Sequence, residues 1–126
     1  MQLALGLEFI HSHRHVHRDI CPRNILIANG GDRLIISDFG LVRTTHGGYQ
    51  GSQSNGMDTW LAPETILENF SPTNRVTSAC DVFSMGCVFY HFVTKGSHPF
   101  GGSNGFEMQK KIVDGKSSLE SERASI

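Results

Sequence analysis

What this chain lacks narrows its identity first. It has three cysteines, Cys21, Cys80 and Cys87, and none stand in a Cys-x-x-Cys spacing, so neither a disulfide framework nor a thiolate zinc knot is indicated. An odd count suits free thiols in a reducing compartment. It has no surplus of either charge: 11 Lys and Arg against 12 Asp and Glu leave a formal net charge of -1. That removes the electrostatic case for bulk nucleic-acid binding, DNA included. No apolar run reaches the ~20 residues of a membrane span. The longest, Ala79 to Val93, is interrupted by Asp81, Ser84 and His91 and reads as a buried core helix. No signal peptide is visible, because Met1-Gln2-Leu3-Ala4-Leu5 runs straight into an amphipathic pattern. No internal repeat stands out, and 126 residues suffice for one modest core, not two domains.

What is present begins with a hairpin. Ile25-Leu26-Ile27 and Leu34-Ile35-Ile36 are short, partly β-branched apolar runs, and both read as strands. Ala28 to Arg33 lies between them, with Asn29-Gly30 and Gly30-Gly31 as turn signals. The loop midpoint falls near Gly31, and Asn24 and Asp38 are equidistant from it. Antiparallel pairing therefore predicts that Asn24 and Asp38 lie opposite each other, on strands about 5 Å apart, where they could share a ligand. An amide oxygen and a carboxylate are hard donors that suit Mg²⁺ better than zinc. Asp19, shortly before Asn24, is placed to accept a proton from an incoming hydroxyl. Such a set serves phosphoryl transfer, where a metal neutralises developing phosphate charge while the aspartate orients the nucleophile. The plainer alternatives are a loop carboxylate capping backbone amides for Asp19, and ordinary turn or strand-end residues for Asn24 and Asp38.

The rest of the chain reads as α+β, mainly α. Leu3, Leu7 and Ile10 share a face and predict a helix over 3–12 with no capping residue ahead of it. Residues 17–24 form a loop and 25–37 the hairpin. A short helix is predicted over 64–69, a loop with Pro72 over 70–77, and a buried helix over 78–94 closed by Gly96 as C-cap. A loop from Ser97 to Asn104 and a last helix over 105–114 follow. His11, His13, His15 and His17 alternate as metal ligands on a strand face would. They sit at a helix end, however, and a solvated turn is the expected reading.

Four motifs in order carry a resemblance. His17-Arg18-Asp19 with Asn24, Asp38-Phe39-Gly40, and Ala62-Pro63-Glu64 resemble the catalytic loop, the metal-binding motif and the end of the activation segment of a eukaryotic protein kinase. Asp81-Val82-Phe83-Ser84-Met85-Gly86 resembles the start of the central buried helix of that fold. Trp60-Leu61-Ala62-Pro63-Glu64, the run Asp81 to Tyr90, and Lys95-Gly96-Ser97-His98-Pro99-Phe100-Gly101 are similar to one branch. This is the inositol-requiring stress-sensor family, a transmembrane kinase and endoribonuclease of the unfolded-protein response. The resemblance covers residues 3 to about 115.

The resemblance implies a protein-kinase-like C-lobe fragment over 1–115, with a small β-hairpin at the cleft, and a polar tail over 116–126. Both ends read as truncated. The Gly-rich phosphate loop, the strand lysine and its glutamate partner are expected upstream. It implies Asp19 as catalytic base, Asn24 and Asp38 as Mg²⁺ ligands at the bound ATP, and Leu26 in the floor under the adenine. Arg18 becomes the receiver of an activation-loop phosphate. His17 and Phe39 belong to a packed column anchored by Asp81, with Gly40 and Glu64 as structural members of their motifs. Candidate acceptors of the regulatory phosphate are Thr44, Thr45, Tyr49, Ser52 and Ser54, around a Gly/Ser-rich stretch, Gly47 to Gly56, whose composition suggests a mobile loop. A surface loop with unmodified hydroxyls is the alternative. Implied partners are ATP, Mg²⁺ and a protein substrate, with another copy of the same protein among the candidates. RNA enters only through a nuclease domain outside these residues. The implied location is the cytosolic side of an endoplasmic-reticulum membrane.

Two positions depart from the pattern. Serine/threonine kinases carry a lysine where this chain has Cys21, and a threonine where Gly56 is followed by Met57. A neutral thiol supplies no positive charge to a transferring phosphate. Weak or absent phosphotransfer is therefore expected even in a complete parent, and a nucleotide-sensing or scaffold module competes with an active kinase. The isolated chain is expected to transfer nothing, lacking half of an ATP cleft. A partial product that does not fold alone is the third reading.

Overall fold

The computed structural model describes residues 1–40, 43–44, 59–68, 77–117 and 119. Helices predominate: α1 (Gln2–Ser12), α2 (Pro63–Glu68), α3 (Ala79–Val93) and α4 (Gly105–Asp114). Two small antiparallel sheets accompany them. β1 (His15–Val16) pairs with β4 (Arg43–Thr44), and β2 (Ile25–Ala28) pairs with β3 (Arg33–Ile36). Among the described residues, no helix is long and apolar enough to cross a membrane.

The spacing of apolar residues decides which faces are buried. Leu3, Leu7 and Ile10 turn one stripe of α1 inward, onto Ile20, Ile25, Ile36, Met85 and Val88. The hairpin is tied to that helix by one amide. Gln2 Nε2 donates to the Asp32 carbonyl at 2.8 Å, and the Leu34 N–H donates to Gln2 Oε1 at 2.7 Å. Two smaller clusters continue the core. One holds Val16, Ala62 and Cys80; the other holds Leu61, Ile66 and Ile112, and Phe83 packs against both. Pro63 opens α2, where the missing N–H is one the first turn leaves unpaired anyway. Asn104 caps α4 by accepting from the Glu107 N–H at 2.9 Å, and the Glu107 carboxylate accepts from the Ser103 N–H at 3.0 Å.

The hairpin register differs from the symmetric expectation by one residue. Ile25 pairs with Ile36 and Ala28 with Arg33, so Ser37, not Asp38, stands opposite Asn24. Pairing is symmetric about the point between Gly30 and Gly31, half a residue before the Gly31 midpoint, and half a residue at the centre becomes one full position across the pair. Residues 29–32 form a tight loop with Asn29 at φ 53°, Gly30 at 66° and Gly31 at 104°. Each strand also runs one residue further into the loop than its apolar run. β1 and its partner β4 were not anticipated, because a two-residue pair leaves no alternation to detect.

α3 differs from expectation at its end and on its outer face. It closes through Lys95 at φ 58°, with Lys95 N–H donating to the Phe92 carbonyl and Gly96 N–H to the His91 carbonyl at 2.8 Å. The left-handed residue is thus Lys95, and Gly96 follows one position later. One stripe, Asp81, Ser84, Met85 and Val88, is buried, but Val82, Phe89, Phe92 and Val93 are exposed. The helix is half-buried because the described residues pack on one side of it only. Leu7 and Leu5 of α1 should separate accordingly: Leu7→Ala costs about 2–5 kcal/mol by denaturant midpoint, while Leu5→Ala shifts it by less than about 0.5 kcal/mol.

Candidate functional site

The loop between β1 and β2 is organised by a side chain distant in sequence. Asp81, in the first turn of α3 and 1 % exposed, accepts from two successive amides. The His17 N–H reaches Oδ2 and the Arg18 N–H reaches Oδ1, both at 2.8 Å. His11 Nε2 donates to the same Oδ2, also at 2.8 Å. A buried carboxylate needs such partners, because an uncompensated one is costly. Arg18 adopts a left-handed φ of 73°, a strain of roughly 1–2 kcal/mol. A hydrogen bond to a charged group contributes about 1.5–3 kcal/mol, so the two amide bonds outweigh it.

His17, fully buried, links this loop to the hairpin's end. Its Nδ1 accepts from the Asp19 N–H at 3.2 Å and its Nε2 donates to the Ser37 carbonyl at 2.8 Å, which selects the Nε2–H tautomer. Its ring meets Phe39 edge-on, with centroids 5.2 Å apart. Asn24, 4 % exposed, closes the loop from the other side: Nδ2 donates to the Asp19 carbonyl at 2.7 Å. Ser37 then returns both its N–H, at 2.8 Å, and its hydroxyl, at 3.0 Å, to the Asn24 carbonyl. With Nδ2 committed, the Asn24 side chain offers Oδ1 as its acceptor.

Asp38 follows directly, exposed and left-handed at φ 60°. The Gly40 N–H donates to its Oδ1 at 3.3 Å, and a Cβ on Gly40 would lie 3.3 Å from that same oxygen. Asp19 is half-buried, with the exposed Arg23 Nη2 3.6 Å from its Oδ1. The structure thus draws His17, Asp19, Asn24 and Asp81 into one bonded set, with Asp38 one residue beyond Ser37; Phe39 touches the His17 ring but is 54 % exposed, outside the packed column expected of it. Arg18 is buried at its side chain as well. Glu64 lies exposed in the first turn of α2. Leu26 is 50 % exposed, while Cys21 is buried at 2 %. Thr45, Tyr49, Ser52, Ser54, Gly56 and Met57 lie outside the described residues, and of Thr44 only the backbone is described, in β4.

Two participants were not legible in advance. Ser37 had no signal beyond its place at a strand end. His11 was expected in a solvated turn; it is 18 % exposed and bound to Asp81. Its helical spacing from Leu7 was the clue. His13 remains at the surface, its Nδ1 donating to the Phe9 carbonyl at 2.8 Å. Among the described residues, no three His, Cys, Asp or Glu side chains gather as a metal cluster. Asn24 Oδ1 and the Asp38 carboxylate fit Mg²⁺ instead, which takes one or two carboxylates and fills its shell with water and phosphate oxygens.

The remaining thiols are inert. Burial pushes Cys80 up to about 12, with the charges of Asp81 and Glu64 adding to the rise, and burial pushes Cys87 up to about 11. Near pH 8 about one such thiol in a thousand or fewer is ionised. Iodoacetamide at that pH should leave both unmodified by mass until the chain is denatured. Asp81→Ala, which strands two buried amides, should cost about 2–6 kcal/mol in denaturant unfolding, and His11→Ala about 1 kcal/mol.

Comparison with known proteins follows the same residues. The protein kinase domain family matches residues 1–125. The serine/threonine-protein kinase/endoribonuclease IRE2 of Homo sapiens is 42 % identical over 115 residues, 81 % of this chain and 12 % of that protein. The serine/threonine-protein kinase/endoribonuclease ire-1 of Caenorhabditis elegans is 37 % identical over 128 residues, 94 % of this chain and 12 % of that protein. The probable serine/threonine-protein kinase ireA of Dictyostelium discoideum is 38 % identical over 124 residues, 95 % of this chain and 12 % of that protein. The chain therefore spans about an eighth of the length of these relatives.

Proposed function

We propose, from the premise that this chain belongs to the protein kinase domain family and is similar to kinase/endoribonucleases along most of its length, that it carries the catalytic-loop portion of a serine/threonine protein kinase. On this reading residues 1–115 are the C-lobe part of the domain and 116–126 a polar tail. The reaction is phosphoryl transfer from ATP to a protein hydroxyl, another copy of the same protein being one acceptor, in a stress sensor that couples the kinase to a nuclease. The parent stands at the endoplasmic-reticulum membrane with this domain on the cytosolic side.

The observation that carries the reading is the bond from Asn24 Nδ2 to the Asp19 carbonyl, made in a loop that Asp81 holds by consecutive amides. Asp19 is the base that orients the acceptor hydroxyl and takes its proton. Its position is set from one side by the His17 ring and from the other by Asn24. Asn24 Oδ1 and Asp38 would hold Mg²⁺, which when bound neutralises charge on the transferring phosphate. Leu26 presents its exposed apolar side chain to the adenine. Arg18 receives the phosphate of a modified activation segment. The 126-residue chain alone transfers nothing, since it contains no Gly-rich phosphate loop or strand lysine.

A second reading, a kinase-fold module that senses nucleotide with little catalysis, is favoured by Cys21. Its thiol is buried at 2 % exposure, so the position supplies neither a cation nor a reachable donor to a phosphate. In the full-length protein, Asp19→Asn should lower γ-phosphate transfer at least about 10²-fold with nucleotide binding kept. Cys21→Lys with Met57→Thr should raise it about 10²–10³-fold. Mg²⁺-dependent nucleotide binding with no transfer in either form would decide for the second reading. No nucleotide binding at all would refute both.

A further inference from the structure

Outside the catalytic loop, the described residues hold a second assembly of titratable and aromatic groups. His98, in the connection between α3 and α4, reaches Thr59, 39 residues earlier, with Nε2 donating to the Thr59 carbonyl at 2.8 Å. The Phe100 N–H donates to His98 Nδ1 at 3.0 Å. The ring lies against Trp60 at a centroid distance of 4.7 Å, and His91 of α3 meets the same indole edge-on at 5.4 Å. Trp60 is held in turn by its carbonyl, which accepts from the Ser84 hydroxyl at 2.6 Å. Phe100 stacks on Phe83 with centroids 5.8 Å apart. Thr59 and Trp60 lead directly into Leu61-Ala62-Pro63-Glu64, the run that ends the activation segment.

We infer that His98 is a positioning residue for the end of the activation segment, and that it holds Thr59 and Trp60 only in its neutral Nε2–H form. The inference rests on the proposed kinase reading for its meaning, since that reading makes this run the end of the activation segment. It rests on the bonding for its mechanism. An imidazole that donates from Nε2 and accepts at Nδ1 uses both nitrogens in one tautomer. A proton added at Nδ1 faces the Phe100 N–H donor head-on, so one contact must break and the ring must move off the indole.

The electrostatics agree in sign. Burial pushes His98 below its ordinary value of 6.5; the Thr59 carbonyl opposes that fall and His91 adds to it. The groups facing the ring are His91 from α3, the indole of Trp60, the Thr59 carbonyl and Phe100, and among them only His91 carries an ionisable side chain. The unfolded chain takes up this proton near 6.5 and the folded chain only at lower pH. The unfolded state therefore binds more protons between the two, and stability rises with pH through that window. The hold is complete above about 6.5 and is lost as pH falls through the lower folded value.

Trp60 is the sole tryptophan of the chain, so its emission reports on this assembly directly. In the His91→Gln background, which removes the second ring, emission scanned from about pH 7.5 to 4.5 should show one single-proton transition with its midpoint below about 6.5. Adding His98→Gln, whose amide can still donate to the Thr59 carbonyl but cannot titrate, should abolish it. In the unsubstituted chain, side-chain nitrogen NMR should show His98 as the Nε2–H tautomer at the upper pH, and restoring His91 should lower the His98 midpoint. An Nδ1–H tautomer, a midpoint at or above about 6.5, or a transition that survives His98→Gln overturns the inference. Neither nucleotide nor acceptor enters these measurements. A failed phosphotransfer assay would leave the His98 hold standing, and a failed titration would leave the catalytic reading standing.

Discussion

The site depends on one buried carboxylate. Asp81 takes the His17 and Arg18 amides on its two oxygens and His11 on one of them. Each bond comes from a different structural problem. The two amides belong to a loop with a left-handed residue in it, and successive amides converge on one acceptor only in such a turn. The histidine comes from the last turn of α1. A helix end, a strand exit and a helix start are thus joined at one side chain. Removing the charge would leave donors in a place that water does not reach.

From that point order passes outward through single contacts. His17 carries it to Ser37, Ser37 to Asn24, and Asn24 back to Asp19. The circuit closes on the loop where it began, so Asp19 is held by two neighbours that are themselves held. Asp38 comes one residue after Ser37 and is exposed. On the hairpin Leu26 and Ile27 are exposed, while the Cys21 thiol is buried, so position 21 adds no positive charge.

Much of this could be read in advance. The helical stripe of α1 and the two strand runs were legible because burial imposes a period on the residues that face the core. Asp19, Asn24 and Asp38 were singled out by their oxygen donors around one hairpin, and His17 and Asp81 by their place in motifs that resemble those of protein kinases. The register of the hairpin was not. Pairing is symmetric about the point between Gly30 and Gly31, and a centre taken at Gly31 put Asp38, not Ser37, opposite Asn24. His11 was hidden for a related reason. Three other histidines follow it at alternate positions, and that pattern masked its helical spacing from Leu7.

By itself, the sequence determined the four helices and the β2–β3 hairpin, and which residue types can bind a metal, move a proton or stay dry. These properties reside in local spacing and side-chain chemistry. The tertiary structure alone decided which carboxylate is tied to distant amides and which is not. Asp19 and Asp81 are the same residue type, but Asp81 accepts from α1 and from the loop after β1, whereas the Asp19 side chain, 11 % exposed, lies beside an exposed arginine. That difference arises from contacts across 63 and 64 positions of chain, a distance over which no periodicity carries information.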